Sequence, residues 1–204
     1  MMRVIEDSRG PNPRRLRMFL SEKGVSVPFE QIDLMRGQHK TPEFVAINPK
    51  AAVPVLVLDD GTVIAESVAI CRYFERLYPE PALMGEGPLG EAHVEMWNRR
   101  VELGLFYAVA QMVRHGVPAM AALENPQLPE WAELNRQRTF AELAWLDREL
   151  QSRPFIAGNS FTIVDITAIA AIDFMRAARQ SPPAGLAALN RWRREVSARP
   201  SAQA

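Results

Sequence analysis

Apolar positions change their spacing near residue 80 of this 204-residue chain. Before that point, short β-like runs alternate with helical patterns. Val4-Ile5 is a brief apolar start, and a helix is predicted after Pro13, with Leu16, Phe19 and Leu20 at helical spacing. Glu22-Lys23-Gly24 closes it, glycine being the usual residue just past a helix. Val27 to Ile32 is a weaker strand pattern, because its alternation is not clean. "TPEFVAINP" (Thr41 to Pro49) reads as a short helix closed by Asn48-Pro49. Val53 to Leu58 is almost wholly apolar, like a buried strand, yet it contains Pro54, which donates no backbone hydrogen bond. An Asp60-Gly61 turn and a partner strand over Thr62 to Ala65 complete a hairpin. From Ser67, the residues Ile70, Tyr73, Phe74 and Leu77 mark one face of a helix. The order is βαβαββα.

The stretch "YPEPALMGEGP" (Tyr78 to Pro88) is rich in proline and glycine and reads as a linker. Beyond it every pattern is helical, with helices predicted at about 89–115, 130–151, 163–179 and 185–198. Alternating elements followed only by helices predict an α/β domain over 1–78, a linker over 79–88 and an all-α helical bundle over 89–204.

Composition narrows the function classes. Lys plus Arg and Asp plus Glu both number 24, so the net charge is zero, which argues against a nucleic-acid surface. The first residues, "MMRVIEDSRG", meet charge at once, and no run approaches the roughly 18 apolar residues of a spanning helix. A cytoplasmic protein with no membrane partner is expected. Cys71, the one cysteine, excludes an intrachain disulfide, and no metal site is expected. Its place mid-helix among Val68, Ile70 and Phe74 reads as core packing.

Four groups of residues then carry a resemblance across essentially the whole chain: "PNPRRLRMFLSEKG" (Pro11 to Gly24), "RGQHKTPEFVAINP" (Arg36 to Pro49), "AVPVLVLDDGTVIAESVAICRYF" (Ala52 to Phe74) and "FTIVDI" (Phe161 to Ile166). In this order and at these separations they resemble the cytosolic glutathione transferase family, its theta-like and bacterial nu-like members most of all. The resemblance implies a thioredoxin-like N-terminal domain in which the proline matching Pro54 is cis. Glutathione would then lie as an added strand, its cysteinyl part paired with the backbone of Val53.

Other roles follow from the same resemblance. Ser67 can simply cap a helix; the family pattern implies instead that Ser67 and the helix N-terminus bind the γ-glutamyl carboxylate, with Glu66 on the adjacent ammonium. His39 and Lys40 match positions near the glycyl carboxylate, where an exposed pair contributes about 0–1 kcal/mol; two solvated loop residues is the alternative. Serine-type members carry a hydroxyl where this chain has Gly10. Ser8 is displaced by two residues, and the first loop holds neither tyrosine nor cysteine. Asn12 resembles an asparagine that lies beside the glutathione sulfur in nu-class relatives. Asn12, the backbone amides of the Gly10–Asn12 loop, and Ser8 therefore all stay open as the thiolate's donor.

A donor is needed on magnitude. A free thiol titrates near about 8.5, and a shift of about two units corresponds to about 2.7 kcal/mol. A helix N-terminus supplies about 0.3–1 kcal/mol, about 2 when partly buried. One hydrogen bond to the charged form adds about 1.5–3 kcal/mol. The two together suffice.

Tyr107, Gln111, Met112 and Arg114 are expected to line the pocket for a hydrophobic electrophile. Arg14, Arg15 and Arg17 are expected to face solvent, lend potential to the thiolate or pair with a second subunit of a homodimer. In "FTIVDI", Thr162 and Asp165 form a capping pair, and Phe161 with Ile166 can form a hydrophobic staple. Two alternatives to a transferase stay open: a glutathione-dependent disulfide reductase, and a non-catalytic scaffold of the same fold.

Overall fold

The computed structural model describes residues 1–204, which form two compact units: Met1–Pro81 with Gln203–Ala204, and Ala82–Ala202. The first unit runs β1 (Arg3–Glu6), α1 (Pro11–Glu22), β2 (Phe29–Gln31), α2 (Pro42–Ile47), β3 (Val55–Val57), β4 (Val63–Ala65) and α3 (Ser67–Leu77). Its four strands lie in the order β2-β1-β3-β4, with β1 parallel to β2 and the other pairs antiparallel. Val4 pairs with Phe29 on one side and Leu56 on the other, and Val55 pairs with Ala65. This is the thioredoxin-like βαβαββα order.

Successive strand residues point to opposite faces. Ile5, Val55 and Val57 pack with Phe44 of α2, joined by Ile32, Ile47 and Val53. Val4 and Leu56 point the other way and are buried, as are Leu16 and Phe19 of α1 and Ile70 and Phe74 of α3, two helices packed on each other. The strand expected over Val53 to Leu58 starts only at Val55. Pro54 sits ahead of the ladder, where its missing N–H leaves no gap.

The second unit is helical: α4 (Gly87–Val101), α5 (Tyr107–Gly116), α6 (Pro129–Leu150), α7 (Ile163–Phe174) and α8 (Ala187–Ser197). The helix expected at 89–115 is interrupted by a π-helical turn, Glu102–Phe106. There Gly104 lies under the Glu142 carboxylate, and a Cβ on it would stand 2.8 Å from Glu142 Oε2. The last two residues of the predicted linker, Gly87 and Pro88, form the first turn of α4, which tolerates proline because its N–H groups have no intrahelical partner. Helix α7 is buried from Ile163 through Ile172 and forms the centre of this unit. No helix is long and apolar enough to cross a membrane.

Candidate functional site

The first helix of the chain starts from a braced loop. After β1 the Asp7 carbonyl accepts from Gly10 N–H at 3.0 Å. The buried Asp7 carboxylate accepts from Arg9 Nε (2.8 Å) and Nη2 (2.6 Å), and from the Arg9 and Leu34 backbone N–H groups (3.1 Å each). Arg9 also reaches Asp33 at 2.7 Å, tying the loop at 8–10 to the loop after β2. The Arg9 hydrogen bond holds the Asp7 carboxyl below the ordinary carboxylate range, against burial, and lowers Asp33 likewise. Ser8 is exposed, and its backbone N–H is bound to Gln31 Oε1 at 3.1 Å.

Gly10 is the N-cap of α1 and makes no side-chain cap; Pro11 opens the helix. A Cβ at residue 10 would stand 3.1 Å from Pro13 Cδ and 3.3 Å from the Asp7 carbonyl, so the turn favours a glycine. Asn12, in the first turn, is half-buried, and its Oδ1 accepts from Ser67 Oγ at 3.4 Å. Ser67 opens α3 and is buried; Arg15 Nη1 donates to its Oγ at 3.2 Å. Two turns further along α1, the buried Lys23 pairs with Glu75 of α3 and donates to the carbonyls of Pro79 (3.1 Å) and Pro81.

Glu66, the residue before α3, is exposed and holds φ 69° and ψ 115°, a strained conformation for a residue with a Cβ. Helix α3 has no side-chain cap, so its first amides have no intrahelical partner. The Val53-Pro54 peptide is cis, as the resemblance implies. The Val55–Ala65 pairing brings Pro54 and Glu66 to the same end of the hairpin. Asn48, buried, shapes the approach to Val53, with Nδ2 donating to the Ala52 carbonyl at 2.9 Å. His39 is buried, so only one of the two expected loop residues, Lys40, is exposed.

The four residues expected at an electrophile pocket all lie on α5. Tyr107 is exposed. Gln111 Oε1 accepts from Trp131 Nε1 at 3.1 Å, and Arg114 reaches Glu124 at 3.4 Å. Met112 is buried and lines a cavity of about 780 Å³ with His115, Val117 and Pro129.

Cys71 is fully buried, and burial pushes its thiol well up, which suits core packing. Neither Arg15 nor Arg17 stands on a fully solvated face. Arg15 is 1% exposed, and Arg17 pairs with the buried Glu6. Sequence reasoning missed Asp7, Arg9, Lys23 and Asn48. Asp7-x-Arg9 beside a turn was a local signal; the others gain their roles from partners distant in the chain. No group of three or more His, Cys, Asp or Glu side chains is arranged to hold a metal ion.

Known proteins share this pattern. The family described as Glutathione S-transferase, N-terminal domain, matches residues 10–77, and its C-terminal counterpart matches residues 129–195. Glutathione S-transferase 2 of Saccharomyces cerevisiae is 38% identical over 203 residues, covering 98% of this chain and 87% of that protein. A glutathione S-transferase domain-containing protein of Marinobacter aquaeolei is 39% identical with a TM-score of 0.94, covering 98% of both chains. A Gtt2-class glutathione S-transferase of Vibrio parahaemolyticus is 32% identical with a TM-score of 0.86, covering 99% of this chain and 96% of that one. With both halves matched and identity running the length of the chain, this protein belongs to the glutathione S-transferase family.

Proposed function

We propose that this chain is a glutathione transferase that conjugates the glutathione sulfur to hydrophobic, electron-poor carbon centres. What carries the reading is the convergence of Asn12, Ser67, Glu66 and the cis Val53-Pro54 peptide in one unit. Glutathione extends along the Val53 backbone as an added strand. Its γ-glutamyl carboxylate meets the open amides of α3, its ammonium meets Glu66, and Lys40 serves the glycyl carboxylate. The thiol proton leaves to solvent, and the thiolate is held by the α1 N-terminus and the Asn12 amide. The sulfur then forms a bond to carbon while a leaving group departs with its electron pair, or adds to an activated double bond. Tyr107, exposed on α5, is the proposed contact for the electrophile.

Ser67 holds a different part in this scheme from plain carboxylate binding. Its hydroxyl is engaged by Arg15 and Asn12, so the α3 amides take the larger share of the carboxylate. Asn12 as the thiolate's main donor favours a second reading, reduction of disulfides by two glutathiones.

A homodimer is part of the proposal. Leu89, Met96 and Leu103, seven residues apart, are 84%, 38% and 67% exposed, a stripe that a second copy would cover. A detoxifying role in the cytoplasm is also part of the proposal. Retention on immobilised glutathione and conjugation of an electron-poor aryl chloride test the function. Both should be lost in Glu66→Ala, and undiminished retention by that variant would mean glutathione lies elsewhere.

A further inference from the structure

The first turn of α1 and the first turn of α3 are joined by a short polar chain that runs Arg15 to Ser67 to Asn12. Arginine is a donor only. Arg15 Nη1 therefore donates into the Ser67 oxygen at 3.2 Å, and the Ser67 proton turns away from the cation. It turns toward Asn12, 3.4 Å away, and a proton arriving there needs an acceptor, which is Oδ1. With Oδ1 engaged, the Nδ2 half of the amide is directed away from Ser67. Removing the cation removes the bias on the Ser67 proton, so the hydroxyl can rotate and accept from Asn12 Nδ2 with the amide reversed. Arg15 is 1% exposed and Ser67 is 4% exposed, so water does not compete readily for either bond.

We propose that Arg15, acting through the Ser67 hydroxyl, is a positioning residue that orients the Asn12 amide so that Nδ2 donates to the glutathione sulfur. This rests on the reading above that Asn12 is the thiolate's donor. A carboxamide is two-faced, and a thiolate facing Oδ1 would be repelled rather than held. A serine or tyrosine hydroxyl rotates to suit its partner; an asparagine needs its orientation set from behind. The buried cation supplies that setting in a chain with glycine at residue 10.

The test is the apparent pKa of the thiol in glutathione bound at saturation, followed by the ultraviolet thiolate band, in Asn12→Ala, Arg15→Gln, Ser67→Ala and the two double variants built on Asn12→Ala. Affinity for S-methylglutathione, which has no thiol, is measured alongside. Arg15→Gln and Ser67→Ala are each expected to raise the thiol pKa by about one unit, tenfold in the ionisation equilibrium. They should add nothing in the Asn12→Ala background, and Arg15→Gln should keep its S-methylglutathione affinity within about twofold. If Arg15→Gln does not fold, Ser67→Ala with and without Asn12→Ala decides the matter. Shifts that add fully to that of Asn12→Ala would mean that Arg15 acts through its field alone, and would overturn the positioning role. So would an unchanged pKa in Arg15→Gln and Ser67→Ala while Asn12→Ala shifts it. An unchanged pKa in Asn12→Ala itself would overturn the donor reading and this inference with it.

Discussion

Two helix starts of this molecule solve the same problem in opposite ways. At α7, Thr162 accepts from Val164 N–H at 3.3 Å, and Asp165 Oδ2 accepts from Thr162 N–H at 3.0 Å. Asp165 Oδ1 takes Ile156 N–H at 3.0 Å and Trp192 Nε1 at 2.8 Å. That end is buried and filled by its own side chains. At α3, the residue before the helix is an exposed glutamate in a strained conformation, and no side chain caps the first amides. A closed start contributes to folding; an open one beside Glu66 and the cis-proline is where we propose that the ligand sits. The comparison separates "FTIVDI" from "ES" by what each leaves unsatisfied, although both are read from sequence as helix caps.

The largest expected effect lies at the closed start. Asp165→Ala strands three donors in the core, each costing about 1–3 kcal/mol, so a loss of at least about 3 kcal/mol is expected in urea unfolding. The fraction still folded should bind glutathione as before. Loss of affinity without loss of stability would erase the distinction between the two ends.

Glu66→Gly probes the open start from the other side. Glycine adopts positive φ freely, which relieves about 1–3 kcal/mol of strain and costs about 0.5–1 kcal/mol in chain entropy. The variant should be at least as stable as the parent in the same unfolding assay. Calorimetry should show it binding glutathione about 10- to 150-fold more weakly, since a charge-assisted hydrogen bond contributes about 1.5–3 kcal/mol. A variant that is both stable and fully able to bind would remove Glu66 from the site.

A smaller effect concerns the brace under α1. The Arg9 hydrogen bonds lower the folded carboxyl of Asp7 below its ordinary 3.8. Its contribution to stability is therefore present above that value and lost as pH falls through the lower folded one. Because Arg9 is exposed, the contribution should not exceed about 1 kcal/mol. Asp7→Asn should flatten this part of the acid unfolding curve; an unchanged acid limb would show that the brace is not coupled to folding.

Much of the fold was legible because its signals are local. The spacing of Ile70 and Phe74, the Asp60-Gly61 turn and the Thr162/Asp165 pair each lie within one element, and each forms as expected. The polar chain behind the site was not legible, because Arg15 and Ser67 are 52 residues apart and only α1 packing on α3 brings them together. A row of three arginines reads as a solvated face until the sheet supplies Glu6 for Arg17 and α3 supplies Ser67 for Arg15. Burial of His39 was not legible for a related reason: a short polar loop gives no periodicity from which an inward face could be read. In the π-helical turn, Gly104 lies under Glu142, again a contact between distant residues.

The central claim is that an amide, backed by a buried cation, does at the α1 start what a hydroxyl does in serine-type relatives. The most direct test is the ultraviolet difference spectrum of glutathione bound to the parent protein at saturation, followed against pH. A thiolate band is expected whose apparent pKa lies about two units below the roughly 8.5 of a free thiol. Bound glutathione that keeps its free-solution pKa would contradict it.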